Sequence, residues 1–158
     1  LIVTIGGASV GDHDLIAPAL RDAGATLDFW KVAIRPGKPV MTGRLDAARV
    51  LGLPGNPVSA YVCSVLFLMP LIRRLSGRSD IALPTGTGVL GCDLKQNDER
   101  ADYMRAALEL RADGTAVATP FPVQDSSMLS RLAWSDCLVV RPPLAPTGRR
   151  AAGPRLAS

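Results

Sequence analysis

Two short turns combine the residue types that bind anions in proteins. The first runs from Gly6 to Gly11 with the sequence GGASVG, and the second runs from Gly52 to Ser59 with the sequence GLPGNPVS. Glycines let the backbone approach a ligand closely, and free amides at the start of a following helix can hold an oxyanion. Ser9 and Ser59 could each add a hydroxyl hydrogen bond, although local capping explains them equally well.

A basic segment lies between these turns in the sequence. Lys31, Arg35 and Lys38 surround one rigid Pro-Gly turn. Cations this close repel each other unless an anion lies among them. A solvated basic loop is the alternative interpretation, and the pattern alone leaves both open.

Two carboxylates follow the first turn directly. Asp12 and Asp14 flank a predicted helix start, where they can cap the helix and complement its dipole. The functional alternative is a Mg²⁺ site, because Mg²⁺ prefers one or two carboxylates together with water and phosphate oxygens. His13, the single histidine, lies between them and is predicted to face solvent rather than to act as a base.

The second turn is predicted to join a strand to a helix. Val50 to Leu53 is an apolar run typical of a buried strand end, and Val58 to Leu75 is a long apolar segment typical of a helix. Pro57 suits the first helical position, where its missing N–H would have no partner. Asn56 suits the cap before it.

The turn itself is predicted to be rigid. Pro54 and Gly55 form a tight turn with little side chain in the way, so the helix start is open to a ligand. Further along, Pro70 should kink or end the helix in its second half.

The first turn repeats this arrangement. Ile2 to Ile5 is β-branched and predicts a parallel strand, and an amphipathic helix should run from about Asp14 to Ala23, ended by Gly24. Three further predictions in this region are strands at 26–33 and 40–42 and a loop at 46–49.

The composition changes after Gly77, where prolines and glycines interrupt every helical period. Residues 80–145 read as a small all-β module with a hairpin turn at Asp113-Gly114. Its predicted strands are 88–94, 103–110, 115–119 and 137–141, and residues 127–132 predict one or two helical turns. The tail after Pro142 shows no strand alternation, so it is predicted to be poorly ordered.

Charge and composition exclude several classes of function. The net charge is +4, yet aromatics make up only 4% and no Lys/Arg run occurs, which argues against a nucleic-acid partner. The three scattered cysteines fit neither a metal site nor a disulfide framework, and indicate reduced thiols in cytoplasm. The apolar segment 58–72 is too short for a membrane span, and no signal peptide is visible.

Three ordered segments resemble a known family. Residues 6–14, 29–39 and 52–60 are similar to three motifs of the molybdopterin molybdenumtransferases, the MoeA group that includes the gephyrin E domain. Weaker similarity continues in Arg100 to Arg105 and in Gln124 to Ser130. The resemblance implies a partial MogA-like three-layer α/β domain over 1–78, followed by a small all-β, barrel-like domain over 79–158.

The resemblance also implies a chemistry. The family takes adenylylated molybdopterin, cleaves the adenylyl bond with Mg²⁺, releases AMP and places molybdate on the dithiolene. It implies catalytic roles for Asp14, Lys31 and Lys38, with Asp14 as the metal ligand. The substrate-binding residues it implies are Gly6, Gly7, Ser9, Gly11, Arg35, Pro54, Gly55, Asn56, Pro57, Ser59, Arg100 and Ser126.

Two other functions stay open. The gephyrin E domain also anchors partners, so a binding scaffold is the first alternative, and a related molybdopterin adenylyltransferase or nucleotide hydrolase is the second. The family's N-terminal regions do not match this chain, which is therefore expected to be a C-terminal piece that is inactive alone. The full-length protein is expected to be a homodimer.

Overall fold

The computed structural model describes residues 1–7, 15–124, 132–148 and 155–157. It divides into two compact units, Leu1–Val32 with Gly37–Ile81, and Ala33–Pro36 with Ala82–Ser158. The elements in chain order are β1 (Ile2–Ile5), α1 (Ile16–Asp22), β2 (Thr26–Lys31), β3 (Ile34–Arg35), β4 (Pro39–Leu45), β5 (Ala48–Leu53), α2 (Pro57–Cys63), a π-helical segment (Ser64–Leu68), α3 (Met69–Leu75), β6 (Thr85–Thr87), β7 (Val89–Leu90), β8 (Ala101–Leu110), β9 (Ala116–Pro120), β10 (Cys137–Arg141) and β11 (Arg155–Ala157).

The first unit is built on a four-stranded sheet in the order β1-β5-β4-β2. β1 and β5 are parallel, and β4 is antiparallel to both of its neighbours. β2 therefore runs in the same direction as β1 and β5. As a result, the carboxyl ends of these three strands and the amino end of β4 lie at one edge of the sheet.

One face of this sheet is apolar and packs on α1. Ala17 of the helix, Met41 and Val50 form a buried cluster, and Ile2 and Leu20 are among the partly buried side chains around it. α1 ends where the sequence predicted, because Gly24 takes φ +94 and Ala25 donates its N–H to the Leu20 carbonyl.

The long predicted helix over 58–75 is present but not uniform. α2 begins at Pro57, and the five residues Ser64–Leu68 widen into a π-helix before α3. Pro70 has no N–H to continue the α-helical ladder, which gives a physical reason for a break at this place. The predicted disturbance near Pro70 is therefore confirmed as a change of helix type.

The whole helical run Pro57–Leu75 is 19 residues, long and apolar enough to cross a membrane by length and composition alone. The prediction that the apolar segment is too short is wrong in that respect. Core helices of soluble proteins pass the same test, and Val58, Val62 and Cys63 of this helix are fully buried within the first unit.

The second unit is a mainly antiparallel sheet in the order β6-β11-β10-β8-β9-β7, with β3 added beside β8. The Asp113-Gly114 turn joins β8 to β9 as predicted, with Gly114 at φ +82. Leu90, Ala106 and Val139 are among its core residues. In the described part of the chain the strands form an open sheet and no closed barrel.

Four local predictions need correction. The segment 46–49 is not a loop, because β4 and β5 are joined by a tight turn at Asp46 and Ala47, with Asp46 at φ +51. The strand predicted at 88–94 is only Val89–Leu90. The tail does contain a strand, β11, which pairs with β10 and β6. Residues 33–36 pack in the second unit rather than the first. The predicted helical turns at 127–132 fall mostly outside the described residues.

Candidate active site

The two predicted anion-binding turns meet at one edge of the first sheet. The register pairs Ile5 with Leu53, and Gly6 donates its N–H to the Leu53 carbonyl at 3.0 Å. A Cβ on Gly55 would lie 3.6 Å from the Cα of Gly6, so the two turns are in direct contact. Gly6 and Gly7 take φ of +88 and +75, conformations that favour glycine at this junction.

The second turn is held by the cap that the sequence predicted. Asn56 is extended, and its side-chain oxygen accepts a hydrogen bond from the Ser59 N–H at 3.1 Å. Pro57 occupies the first helical turn, and the Asn56 carbonyl accepts from the Ala60 N–H at 2.8 Å. Pro54 and Ser59 are buried while Gly55 is exposed, so the turn presents backbone rather than side chains. Such a surface suits an oxyanion at a helix start.

Two of the predicted cations lie at the same edge. Lys31 is the last residue of β2 and pairs with Pro39, and Val32 donates its N–H to the Lys38 carbonyl at 2.9 Å. Both lysines are exposed. The strand register places Lys31 and Pro54 at the same level of the sheet, with one strand between them. At the usual strand spacing, this corresponds to about 10 Å between their Cα atoms.

The turn that carries Lys38 is attached to the helix through a cysteine. The thiol of Cys63 donates to the Gly37 carbonyl at 3.7 Å, a weak hydrogen bond between two buried residues. Burial raises the pKa of the Cys63 thiol to about 11, so it stays protonated and able to donate. Sequence reasoning treated Cys63 as a plain buried thiol, and no local signal reveals a partner so distant in sequence.

Arg35 lies in a different environment. It belongs to the second unit, where its guanidinium donates to Asp98 at 2.7 Å and to Asp102 at 2.9 Å. Arg100 also donates to Asp98, at 3.0 Å. Hydrogen bonds from Arg100, together with the charge of Arg35, lower the pKa of Asp98 to about 2. It stays a prediction that all three cations bind one anion. Arg35 is already ion-paired to two carboxylates, so it would contribute less free charge to such a site than the lysines.

The second weakly similar segment begins at a well-fixed residue. The side chain of Gln124 donates to the carbonyls of Arg105 and Phe121, and it accepts from the Arg105 N–H at 3.0 Å. Gln124 therefore anchors the segment to β8. Ser126 lies outside the described residues, so its predicted substrate contact stays a prediction.

The same holds for part of the first turn. Ser9, Gly11, Asp14 and the neighbouring Asp12 and His13 all lie outside the described residues. Within the described part of the chain, no cluster of three or more His, Cys, Asp or Glu could hold a metal. The described sheet edge offers amides and ammonium groups, which suit an anion, and the Mg²⁺ prediction rests on Asp14.

Comparison with known proteins also finds two domains in this chain. A family described as a probable molybdopterin binding domain matches residues 1–74, and the MoeA C-terminal region (domain IV) matches residues 87–148. The two domains occur here in one chain and in this order.

The chain belongs to the MoeA family. It is 36% identical over 141 residues to a molybdopterin molybdenumtransferase from Haemophilus influenzae, an alignment that spans 89% of this chain and 35% of the relative. It is 33% identical over 158 aligned residues to the Drosophila melanogaster molybdenum cofactor synthesis protein cinnamon, spanning 93% of this chain and 26% of the relative. This MoeA-family chain thus spans about a third or less of the length of these curated relatives.

Solved structures show the same fold. The crystal structure of a molybdopterin biosynthesis MoeA protein from Pyrococcus horikoshii superposes with a TM-score of 0.77 at 24% identity, over 99% of this chain and 36% of the other. At that identity the likeness supports the fold of this MoeA-family chain and not its chemistry. The predicted fold class, an α/β domain followed by a β domain, is confirmed.

Proposed function

We propose that the protein inserts molybdate into adenylylated molybdopterin and releases AMP, as a molybdopterin molybdenumtransferase of molybdenum cofactor biosynthesis. The observation that supports this most directly is the meeting of two glycine- and proline-rich turns and two lysines at one sheet edge. Molybdate and the substrate's phosphates are both oxyanions, and this edge presents amides and ammonium groups to solvent. We further propose that the full-length protein works in the cytoplasm as a homodimer.

The roles follow from the chemistry of each group. The exposed backbone around Gly55 would hold a phosphate of the substrate near the helix start, since the Ser59 and Ala60 amides already donate to Asn56. Lys31 and Lys38 would offset the negative charge of the entering molybdate, since metal insertion needs charge compensation rather than a strong nucleophile. Ser9 and Ser126 would add hydroxyl hydrogen bonds, and Arg100 an anion contact.

Asp14 is the residue proposed to hold Mg²⁺. When bound, the cation would neutralise charge on the phosphate oxygens as the adenylyl group leaves. The contribution of this chain is the carboxylate, together with a glycine turn that lets the substrate approach closely.

Replacement of Lys38 by Ala tests the anion site. Molybdate affinity, measured by calorimetry, should fall at least about tenfold, equivalent to about 1.4 kcal/mol. Arg111→Ala is the matched control, because it removes one exposed positive charge from the second unit. Equal affinity in the Lys38 variant and the wild type would refute the assignment.

Replacement of Asp14 by Asn tests the metal role. Asn keeps the shape of the side chain and can still cap a helix. The free energy of unfolding, followed by thermal melting, should therefore fall by no more than about 1 kcal/mol. AMP release from adenylylated molybdopterin, measured in the full-length protein, should fall about tenfold or more, because the cation loses its carboxylate. Normal AMP release with a lowered melting temperature would leave Asp14 as a cap only.

A further inference from the structure

A cavity of about 520 Å³ lies on the other face of the first sheet, between the strands and the end of α3. Its lining includes Arg44, Arg49 and Arg74, with Asp28 as its one carboxylate among the described residues. We refer to it as the arginine pocket. Its volume falls within the usual range for small-molecule sites, about 300–1,000 Å³.

The two sheet arginines face each other directly. The antiparallel register of β4 and β5 pairs Arg44 with Arg49. Directly opposed side chains have Cβ atoms about 5 Å apart, and like charges in that position destabilise a sheet. A tight turn at Asp46 and Ala47 fixes this register, so the strands cannot slip to separate the charges.

None of the three guanidinium groups has a hydrogen-bond or ion-pair partner among the residues that the structure describes. In the described ranges, the hydrogen bonds and ion pairs of the first unit include none from the side chains of Arg44, Arg49 or Arg74. Arg74 lies in the last turn of α3, where a cation also complements the helix dipole. Arg44 and Arg49 have no such explanation, and they carry the argument.

The rest of the lining suggests what kind of anion fits. Leu71 and Leu75 of α3 form an apolar wall, and Thr42 offers a hydroxyl on the sheet. Asp28 lies opposite Thr42 in the strand register, so it is a diagonal neighbour of Arg44, one strand across and two residues along, with about 8 Å between the Cα atoms. An anionic group at the arginines, an apolar body on the leucines and a hydroxyl at Asp28 would satisfy all three surfaces.

We propose that the arginine pocket binds a phosphomonoester with an apolar or aromatic body. Phosphate dianions present three oxygens and can accept bidentate hydrogen bonds from several guanidinium groups at once. The cavity is much larger than a phosphate ion, which accounts for the organic body. The pocket is separate from the candidate active site, because Arg49 precedes Pro54 by five strand residues, about 16 Å.

Calorimetry with phenyl phosphate tests the proposal. Arg49→Gln and Arg44→Gln should each weaken binding at least about tenfold. Arg111→Gln removes the same charge from the second unit and should leave affinity unchanged. Lys38→Ala should affect only binding at the candidate active site, so the loss caused by Arg49→Gln should persist in a Lys38→Ala background, which separates the two sites. Inorganic phosphate should bind more weakly than phenyl phosphate, because it cannot contact Leu71 and Leu75.

Folding of the variants is checked by thermal melting. Arg44 and Arg49 are exposed, and removing one of two facing like charges should not lower the melting temperature. Arg44→Lys keeps the charge but loses the bidentate geometry, so it should give an affinity between those of wild type and Arg44→Gln.

Four results would overturn the proposal. The first is that phenyl phosphate does not bind up to about 10 mM, well beyond the 1 mM that corresponds to about −4 kcal/mol. The second is that Arg49→Gln binds as tightly as the wild type, and the third is that Arg111→Gln loses as much affinity as Arg49→Gln. The fourth is that only Lys38→Ala loses affinity. Tighter binding of a hexaglutamate peptide than of phenyl phosphate would also overturn it, and would instead assign the pocket to an acidic protein segment.

Discussion

Several positive charges of the two units lie in contrasting environments, although Arg78 of the first unit is also ion-paired, to Asp80. In the second unit, Arg35 and Arg100 are ion-paired to Asp98, and the buried Arg141 donates to three backbone carbonyls. In the first unit, Lys31 and Lys38 stand exposed at a sheet edge, and Arg44 and Arg49 face each other without partners among the described residues.

Charges that are paired within the protein stabilise the fold, whereas charges without a partner are available to bind a ligand. An arginine whose donors are already occupied gains little from an added anion, and it is costly to remove when it is buried. A cation without a partner contributes little to folding and can gain from an anion. Replacement of the buried Arg141 is therefore expected to cost stability, and replacement of Lys38, Arg44 or Arg49 is expected to cost binding.

The largest effect is expected at Arg141, which is 7% exposed. Its guanidinium donates to the carbonyls of Lys95 at 2.6 Å, Pro146 at 2.5 Å and Ala145 at 3.3 Å. Arg141→Met should lower the free energy of unfolding by about 3 kcal/mol, because these carbonyls lose a charged donor. Lys38→Met should change it by less than about 0.5 kcal/mol. If urea denaturation shows the same loss of unfolding free energy for both variants, the contrast between a structural Arg141 and a non-structural Lys38 is wrong.

A smaller effect is expected beneath the candidate active site. A Cβ on Gly52 would lie 2.7 Å from Cε and 3.0 Å from Cβ of Met41, and 3.2 Å from the Thr4 hydroxyl. Gly52→Ala should therefore cost about 2 kcal/mol through overpacking. Gly86→Ala is the matched control in the second unit, since nothing lies within 4 Å of its Cβ. If thermal melting shows equal changes for the two glycines, the first sheet is not tightly packed under its site.

The helix cap is expected to contribute less again. Asn56→Ala removes the acceptor for the Ser59 N–H and should cost about 1 kcal/mol. Asn56→Asp should restore most of this stability, because its carboxylate can accept the same hydrogen bond. An Ala variant with the wild-type melting temperature would show that the turn is held by Pro54 and Pro57 alone.

The smallest effect on stability concerns the exposed Asp98. Its pKa is lowered to about 2 from an ordinary 3.8, chiefly by hydrogen bonds from Arg100 and then by the charge of Arg35. Its contribution to stability is therefore complete above about pH 4 and is lost as the pH falls through about 2. Carboxyl NMR titration should show a larger rise in this pKa for Arg100→Gln than for Arg35→Gln. Asp113, whose pKa is lowered mainly by hydrogen bonds at Thr115, should not respond to either variant. A larger rise for Arg35→Gln would reverse the order of the two causes.

The features that the sequence predicted correctly are local ones. Asn56 caps α2, Pro57 begins it and Gly24 ends α1, because each of these depends on backbone geometry within a few residues. The Asp113-Gly114 hairpin belongs to the same class.

The features that the sequence missed depend on distant partners. Nothing near Arg35 shows that β3 pairs with β8, almost seventy residues later, or that its charge is taken by Asp98. The facing of Arg44 and Arg49 depends on a hairpin register that a four-residue segment of ordinary composition did not signal. β11 was missed because three residues are too few to show alternation.

The placement of β3 has a consequence for how the chain can be divided. The chain leaves the first unit after Val32, contributes Ala33–Pro36 to the second, and returns at Gly37. A single cut near residue 81 would thus strip the second unit of an edge strand and deprive Asp98 of Arg35. The two units are interlaced along the sequence, so a fragment cut at one point cannot contain all the residues of the second unit without part of the first.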